Sequence, residues 1–359
     1  MRLRQLRLEN LRAFESLELD LDAGWNVFIG ANGAGKTTLL EAAYVLSHAR
    51  SFRSGPKDVL VRRGTSGYSI YATVDRAPGS NVGLGLSRGS GLLEARIGGA
   101  PAAVADLLHQ VAVACFEPGS HELISGPAEI RRRFLDWGVF HVEHDFLRTW
   151  RAFQRSLKQR NALLRAGGSE AELDPWDREL AGSGAELTAM RRRYANSFSP
   201  VLASTLGEVL TELGTAELAI DAGWEDAAHA LDQLAASRDD DRRRGFTTRG
   251  PHRMDWSIAF ENAPRREHLS RGQEKLCALA CVLTQSKVFA NDRGQWPVIC
   301  IDDLASELDA PHQEILVQSL RSVDAQILVT GTHESHAISA LGAAAARFHV
   351  EPGRVHRLL

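Results

Sequence analysis

The 359 residues of the chain, 44% hydrophobic and 24% charged, have the composition of a globular protein with one large or two medium domains. No apolar run approaches the roughly 18 residues of a membrane span, and the first residues alternate apolar and charged side chains instead of forming a signal-peptide core. The formal net charge of −3 excludes a uniformly basic nucleic-acid binder. We therefore expect a cytoplasmic protein without a membrane partner, whose anion-binding charge is local.

The first 126 residues are predicted to form the N-terminal part of an α/β head. Alternating apolar and charged residues predict two strands over 2–21, around a turn at 10–15. Further β-rich runs are separated by turn residues, among them Gly98-Gly99, which is typical of antiparallel strands. The other elements predicted here are strands at 27–29, 68–74, 82–87 and 92–97 and helices at 37–49 and 102–110.

A Gly-x4-Gly-Lys-Thr motif, the P-loop pattern, follows the strand at 27–29 directly. Its glycines let backbone N–H groups turn toward a phosphate chain, and the N-terminus of the next helix favours an anion. Lys36 is predicted to reach the β- and γ-phosphates, and the Thr37 hydroxyl to ligate Mg²⁺. A chance match is the alternative, but the chain holds only five lysines. The predicted nucleotide-binding residues here are Gly30, Ala31, Asn32, Gly33, Ala34, Gly35, Lys36, Thr37 and Thr38.

Residues 127–245 are predicted to form a helical insertion. Apolar residues recur at spacings of three and four on both sides of a break at Gly167-Gly168, which predicts two amphipathic helices. Two long helices joined by a short break favour an antiparallel arm or a helical lobe. The mixed-charge run 237–244 is predicted to be an exposed loop or helix end. The two stripes consist of Trp150, Phe153, Leu157, Asn161 and Leu164, and of Leu180, Leu187, Met190, Tyr194 and Val201.

The segment 131–165 of this insertion carries a local excess of positive charge. It holds nine Lys/Arg residues against three acids, and basic stretches attract phosphate backbones without sequence preference. A solvated helix face is the simpler explanation of a charge run alone. The basic residues are Arg131, Arg132, Arg133, Arg148, Arg151, Arg155, Lys158, Arg160 and Arg165.

Residues 246–359 are predicted to form the C-terminal part of the head, entered by a strand at 256–260. The run Leu269-Ser270-Arg271-Gly272-Gln273 then precedes an apolar helical run. Ser270 and Gly272, at the N-terminus of that helix, would donate hydrogen bonds to a γ-phosphate. Because the P-loop of the same chain already encloses its own nucleotide, that phosphate would belong to a second subunit. The alternative is that Ser270 only caps its helix.

An acidic pair, Asp302-Asp303, ends a predicted strand at 297–301. Asp302 is the type of residue that holds the Mg²⁺ coordination sphere in P-loop enzymes. Asp303 would orient or deprotonate the attacking water. An acid pair that merely closes a strand is the structural alternative, as is a capping role for Ser306 in the following Ser306-Glu307-Leu308-Asp309.

Three further observations concern the site and the core. His333 follows a predicted strand at 326–329 and is assigned a catalytic role with Asp303 and Lys36. The alternative is that it is a loop histidine exposed to water. The glutamine that usually links the two lobes of ABC-type ATPases is missing from 113–117, and Gln110 is the nearest. The cysteines lie in apolar runs and are predicted to be reduced core thiols; they are Cys115, Cys277, Cys281 and Cys300.

The order of these motifs is that of an ABC-type ATPase, and the chain resembles the RecF family, relatives of the SMC-type ATPases. The resemblance extends from one end of the chain to the other, and the phrase Arg-Arg-x-Phe-Leu-Asp-Trp-Gly is especially specific. The segments that carry it are Leu8–Phe14, Gly30–Gly33, Arg50–Arg53, Arg131–Gly138, Lys158–Asn161, Gly250–His252, Leu269–Gln273 and Ala305–Asp309.

The resemblance implies an ABC-type P-loop ATPase head assembled from both chain ends, with the helical arm inserted. It implies a weak Mg²⁺-dependent ATPase with ATP and Mg²⁺ as cofactors, and Arg12 at the nucleotide. An ATP-dependent homodimer would engage gapped single- and double-stranded DNA without sequence preference and help to load recombinase, with RecR and RecO as partners.

Two other functions remain open at this point. The first is an ABC-type nucleotide-binding subunit of a transporter, against which the missing glutamine and the long arm both count. The second is a binding module with a degenerate ATP site, against which the intact Lys36, Thr37, Asp302 and Asp303 count.

Overall fold

A computed structural model describes residues 1–53, 57–77, 80–89 and 91–358. The chain divides into two compact units, Met1–Ser120 with Cys281–Leu359, and His121–Ala280. We call the first the head unit and the second the helical unit. The helical insertion was predicted to span residues 127–245. The helical unit spans 121–280, so it also contains residues 246–280, which were predicted to belong to the head.

The strands are β1 (Arg2–Leu11), β2 (Phe14–Asp20), β3 (Trp25–Ile29), β4 (Tyr68–Ala77), β5 (Ser80–Gly89), β6 (Leu92–Ile97), β7 (Ala100–Ala102), β8 (Val113–Phe116), β9 (Ala216–Asp221), β10 (Asp255–Phe260), β11 (Val298–Ile301), β12 (Ile327–Gly331), β13 (Ala345–Glu351) and β14 (Arg354–Leu358). The helices are α1 (Lys36–His48), α2 (Val104–Leu108), α3 (Glu122–Ser125), α4 (Ala128–Val142), α5 (Phe146–Ala166), α6 (Glu170–Val209), α7 (Ala230–Ala236), α8 (Arg238–Arg244), α9 (Arg271–Arg293), α10 (Leu304–Glu307), α11 (Ala310–Arg321) and α12 (His336–Ser339). Short 3-10 turns lie at Lys57–Leu60, Thr211–Leu213, Ala227–His229, Arg266–His268 and Gly342–Ala344.

One sheet of the head unit has the strand order β14-β13-β3-β12-β11-β8. All its pairings are parallel except that of β13 with β14. β11 and β12 are buried at every position, which explains their continuous apolar sequence. The carboxyl ends of parallel strands meet at one edge, where open α/β sheets bind ligands. The sheet therefore brings the ends of β3, β11 and β12 together although they are distant in sequence.

A second, antiparallel sheet in the head unit has the order β2-β1-β4-β5-β6-β7. Inward residues such as Leu8 and Ile70 belong to the same hydrophobic core cluster as Leu40 and Leu46 of α1 and Val298 of β11. The strands predicted over 2–21 and 68–97 are confirmed. The helix predicted at 102–110 is confirmed only for its centre, because 100–102 pairs with β6 as β7.

The helical unit contains the two predicted long helices, α5 and α6, packed against each other. The break between them is confirmed: Gly167 ends α5 with φ 71°, a conformation that favours glycine. Ser169 begins α6 with a capping box, since its backbone N–H donates to Glu172 Oε2 at 2.8 Å. The strand predicted at 256–260 forms as β10, but it pairs with β9 inside the helical unit.

The run 237–244 was predicted to be an exposed loop or helix end, and for two residues this is wrong, because Ser237 and Asp241 are buried. It folds as α8, and Asp241 is completely buried. Asp241 accepts hydrogen bonds from Arg160 Nη1 at 2.6 Å and from Thr248 Oγ1 at 2.6 Å. Arg160 is also completely buried and donates to Asp177 at 2.6 Å. Composition alone could not show that one acid of a charged run turns inward to neutralise a core arginine.

Candidate nucleotide and metal site

The P-loop connects β3 to α1 in the head unit, and close contacts require glycine at two of its positions. A Cβ atom on Gly30 would lie 2.1 Å from the Val350 carbonyl oxygen of β13. Gly35 has φ 110°, and a Cβ atom there would lie 2.9 Å from the Phe14 ring. Gly35 precedes α1 and gives it no side-chain cap. The N-terminus of this helix is therefore a place where an anion would be stabilised.

Lys36 lies against this loop. Its Nζ atom donates to the carbonyl oxygens of Gly30 at 2.8 Å and Ala31 at 2.9 Å. Burial lowers the pKa of Lys36, an effect that the nearby Asp303 and Asp302 carboxylates oppose. The ammonium group is thus held over the loop, where a phosphate would replace weaker carbonyl acceptors.

Asp302, at the end of β11, contacts both the start of α1 and β12. Its Oδ1 atom accepts hydrogen bonds from Thr37 Oγ1 at 2.9 Å and from Thr330 Oγ1 at 2.6 Å. Burial raises the pKa of Asp302, and the hydrogen bonds from Thr330 and Thr37 oppose that rise. A carboxylate and a hydroxyl in contact form a hard oxygen donor set, which Mg²⁺ prefers. The residues therefore fit the predicted metal.

Asp303 has a strained backbone and an unsatisfied side chain. Its φ of 53° lies in the left-handed region, which costs a non-glycine residue about 1 kcal/mol. Its N–H donates to Thr330 Oγ1 at 2.8 Å. Its Oδ1 atom is buried without a hydrogen-bond partner among the described residues. Because such an atom is normally satisfied, this oxygen marks a position for water or ligand.

Thr330 is a residue that the sequence reasoning did not assign to the site. Its hydroxyl contacts both members of the acidic pair, and so fixes the Asp302 side chain and the Asp303 backbone together. The available signal was its position at the end of a buried strand, two residues after Leu328.

His333 lies in the loop after β12 and is exposed. Its Nδ1 atom is 3.0 Å from Thr332 Oγ1. It lines a small pocket of the head unit with Ile29, Leu304 and Ser335. The exposed-loop alternative describes its surroundings, and its catalytic role stays a prediction.

Arg12 occupies the tight turn between β1 and β2, with φ 49°. Its guanidinium forms a two-pronged ion pair with Glu41 of α1, including Nη2 to Oε1 at 2.7 Å. Glu41 is completely buried and also accepts from the Ser51 hydroxyl. The sequence reasoning missed Glu41, which ties two segments of the family resemblance to the P-loop helix. Contact of Arg12 with a nucleotide stays a prediction.

Ser270 and Gly272 lie in the helical unit and are exposed. The Ser270 hydroxyl accepts from the Gln273 N–H at 3.3 Å, and the Ser270 N–H donates to Gln273 Oε1 at 3.0 Å. This reciprocal pair is a capping box, so the structural alternative for Ser270 is present. The nearest atom to a Cβ on Gly272 would be Ser270 Oγ, at 3.9 Å. Contacts within the described chain therefore do not require glycine at 272.

Gln110 does not take the place of the missing glutamine. It precedes β8, and its side chain donates to the Asp106 carbonyl. The residue at the carboxyl end of β8 is Glu117, whose Oε2 atom accepts from the Gly119 N–H at 2.7 Å. β8 pairs with β11, the strand that leads to Asp302. A carboxylate therefore follows the strand next to the acidic pair.

The cysteines are free thiols as expected: Cys277, Cys281 and Cys300 are buried and Cys115 is half-buried.

The basic segment 131–165 is not one surface. Arg131 and Arg160 are buried ion-pair residues, with Arg131 bound to Asp255 at 2.6 Å. Arg132 is half-buried and donates to the Met254 carbonyl at 2.7 Å. The prediction of nine phosphate-attracting residues is therefore wrong for these positions, because burial removes them from solvent. Surface acids pair with Arg133, Arg148 and Arg155, whereas Arg151, Lys158 and Arg165 are exposed without a described acid partner.

Comparisons with known proteins bear on the family. The family model described as RecF/RecN/SMC N terminal domain matches residues 2–353. The DNA replication and repair protein RecF of Stenotrophomonas maltophilia (strain R551-3) is 44% identical to this chain, over 99% of each. A solved structure of the recombination mediator protein RecF-ATP in the RecFOR pathway has a TM-score of 0.89 at 24% identity, over 99% of this chain and 97% of that one. A crystal structure of the SmcHead bound to the C-winged helix domain of ScpA has a TM-score of 0.61 at 15% identity, over 100% and 98% of the two chains.

The fold and the site therefore define a protein of the ABC-type P-loop class, with a head of the kind found in SMC proteins. The predicted α/β fold class is confirmed. Within this class, the chain belongs to the RecF family. No helix among the described residues combines the length and apolar character that crossing a bilayer requires.

Proposed function

We propose that this protein is a cytoplasmic, Mg²⁺-dependent ATPase of recombinational DNA repair and replication. The observation that carries the proposal is the contact between Thr37, at the start of the P-loop helix, and Asp302, at the end of a buried strand. A protein that had kept the fold but lost ATP hydrolysis would not need a buried carboxylate hydrogen-bonded to two hydroxyls. The names of the RecF relatives and their ATP-bound structures support the same activity.

Each residue of the site has a distinct role in this proposal. The N–H groups of the P-loop and Lys36 bind and orient the phosphates. Thr37 and Asp302 would hold Mg²⁺, which, when bound, neutralises charge on the β- and γ-phosphates. Asp303 orients the attacking water through its buried, unsatisfied oxygen. Thr330 keeps both acids in place.

The proposed action on DNA requires a dimer. Ser270 and Gly272 are exposed at the start of α9, where they can reach a nucleotide bound by a second copy of the chain. The ATP-bound dimer engages gapped DNA and helps to load recombinase, with RecR and RecO as partners. The RecFOR pathway named for the structural relatives supports these partners.

The transporter alternative is less well supported. It requires a docking surface for a membrane subunit, whereas the helical unit contains a 40-residue helix packed on α5. The family membership also argues against it.

The proposal is tested with the purified full-length chain. We expect slow ATP turnover that stops when EDTA removes Mg²⁺ and returns when Mg²⁺ is restored. We also expect ATP to increase binding of duplex DNA with a single-stranded gap. Turnover unaffected by EDTA, or gapped DNA bound no better with ATP than without, would contradict the proposal.

A further inference from the structure

The exposed cations of the helical unit fall into two groups. Arg133, Arg148 and Arg155 each have an acid within ion-pair distance. Arg151, Lys158 and Arg165 of α5 are exposed and have no such acid among the described residues. A paired cation already has its counterion, whereas an unpaired one gains more from a phosphate. Two of the three unpaired cations of α5, Lys158 and Arg165, lie in the second half of the helix, where their charge is available for a polyanion.

Lys158 and Arg165 share one face of α5 with Asn161, since residues three and four apart are neighbours on a helix. Asn161 Oδ1 accepts from the Thr247 N–H at 2.8 Å and from Thr247 Oγ1 at 2.7 Å. Arg165 Nη1 lies 3.5 Å from the Gly245 carbonyl oxygen. The segment 245–247 therefore lies along this face of α5.

This adjoining segment presents Phe246, which is 38% exposed. The Arg253 guanidinium carbon lies 4.9 Å from the centre of the Phe246 ring. Arg253 is exposed and, like Lys158 and Arg165, has no acid partner in the described chain. Its stacking on the ring restrains both side chains, so that an aromatic face is presented among cations.

Other arginines of this segment are not counted. Arg243 and Arg244 pair with Asp240, and Arg249 pairs with Glu225. On this face, the cations without a described acid partner are therefore Lys158, Arg165 and Arg253, and they accompany one exposed aromatic ring.

We infer that Lys158, Arg165, Phe246 and Arg253 form a binding surface for single-stranded DNA, which we call the α5 surface. The three cations contact phosphates, and Phe246 stacks on an unpaired base. Unpaired bases expose faces that stack on aromatic side chains, whereas a duplex hides them. The inference rests on the proposed DNA-binding function and assigns the unpaired strand of a gap to these residues.

The test measures binding of a fluorescein-labelled 20-nucleotide poly(dT) and of a blunt 20-base-pair duplex by anisotropy, with the full chain, ATP and Mg²⁺, over a salt series. Phe246→Ala should weaken poly(dT) binding about tenfold, within the range of stacking on one base. It should change duplex binding less than about twofold, and Phe246→Tyr should retain affinity for poly(dT).

The triple variant Lys158→Ala, Arg165→Ala, Arg253→Ala should lower the slope of log affinity against log salt by about 2, since each lost phosphate contact contributes about 0.7 on a single strand. The matched control Arg133→Ala, Arg148→Ala, Arg155→Ala removes the same number of charges from acid-paired positions. It should change the slope by less than half as much.

Any of the following results would overturn the inference. Equal effects of the two triple variants would show a general charge effect, and unchanged poly(dT) affinity in Phe246→Ala would exclude stacking. Competition by polyglutamate as strong, per charge, as that by poly(dT) would assign the surface to acidic proteins. If the wild type binds gapped DNA and both Phe246→Ala and the triple variant bind it with the same affinity, only the α5 surface is refuted. If the wild type binds no DNA, the proposed function is refuted as well.

Discussion

Single side chains at the carboxyl edge of the parallel sheet determine what the head unit can do. Asp302 would be costly as an unpaired buried carboxylate, and two hydroxyls reduce that cost only in part, so its pKa remains raised. A bound cation would complete the site. Asp303 holds a left-handed backbone with an unsatisfied carboxylate oxygen, and strain of this kind clusters at functional sites.

Lys36→Arg is expected to lower ATP turnover roughly 100-fold while the fold survives, because a planar guanidinium cannot replace a compact ammonium inside a tight loop. Turnover is measured by phosphate release and folding by circular dichroism. Arg7→Lys, at an exposed position of β1, is the control and should leave turnover unchanged. Wild-type turnover in Lys36→Arg would exclude this lysine from the phosphate site.

Asp303→Asn is expected to retain ATP but not hydrolyse it, since an amide keeps the size of the side chain and loses the carboxylate that orients water. ATP retention is measured by gel filtration with labelled nucleotide. A variant unable to bind ATP would show that Asp303 contributes to binding or folding instead of water activation.

The sequence predicted the residues whose chemistry is tied to a local pattern. The P-loop and the acidic pair could be assigned because each follows an apolar strand at a fixed spacing. Thr330 and Glu41 could not, because their roles depend on which strands become neighbours and on which charged side chain turns inward. Arg131 and Arg160 were misassigned to a surface for the same reason.

At the scale of elements, buried polar contacts fix the helical unit. Arg160 of α5 reaches Asp177 of α6 and Asp241 of α8, and all three are completely buried. Arg191 of α6 donates to the Pro251 carbonyl at 2.6 Å. Each contact ties a segment of the family resemblance, Lys158–Asn161 or Gly250–His252, to another part of the helical unit, so the residue types in these segments follow from packing within the unit.

Arg160→Met is expected to reduce the free energy of unfolding by about 3–5 kcal/mol, because it leaves the buried Asp241 without a cation and the buried Asp177 paired with Arg238 alone. Arg155→Met, which breaks an exposed pair with Glu179, is the control and should cost about 1 kcal/mol or less. Urea denaturation followed by circular dichroism measures both. Equal losses would show that the buried cluster is not a special determinant of stability.

His252 makes the helical unit sensitive to acid. Burial lowers its pKa to about 4, its Nε2 atom lies 2.9 Å from the Thr247 carbonyl oxygen, and its buried Nδ1 atom has no described partner. The unfolded chain therefore binds the proton more readily, at a pKa near 6.5. This histidine's contribution to stability is complete above pH 6.5 and is lost as the pH falls toward 4.

The corresponding prediction compares the wild type with His252→Gln, which can retain a hydrogen bond to the carbonyl. As the pH falls from 6.5 to 4.5, the free energy of unfolding should decrease less steeply in the variant than in the wild type. The two slopes should differ by up to about 1.4 kcal/mol per pH unit. Urea midpoints across this range measure the difference. Parallel pH profiles would exclude His252 as the acid-sensitive group.

Elements with a strong local signal were predicted well. The alternation of β1 and β2 and the glycine break between α5 and α6 are both present, because each depends on a few neighbouring residues. The strand β10 was predicted to enter the head but pairs with β9 in the helical unit, since alternation shows that a strand has one buried face but not which strand it joins.

At the scale of the whole molecule, the head unit closes from both ends of the chain. β3 lies between β12 and β13, which both come from residues 327–351 near the end of the sequence. Parallel pairing across such distances needs the intervening chain to leave the sheet. The order of the motifs predicted this closure. The change of unit inside α9 could not be predicted, because a continuous helix carries no boundary signal.

ATP-driven association of two chains is the central claim of this account, and Ser270 tests it most directly. Light scattering should show the wild type as a monomer without nucleotide and as a dimer with ATP and Mg²⁺. Ser270→Arg should still bind ATP, since Lys36 and Thr37 remain, but it should neither dimerise nor hydrolyse ATP. A Ser270→Arg protein that dimerises with ATP, or wild-type turnover per chain that stays constant on dilution, would show that the site works within one chain and contradict the account.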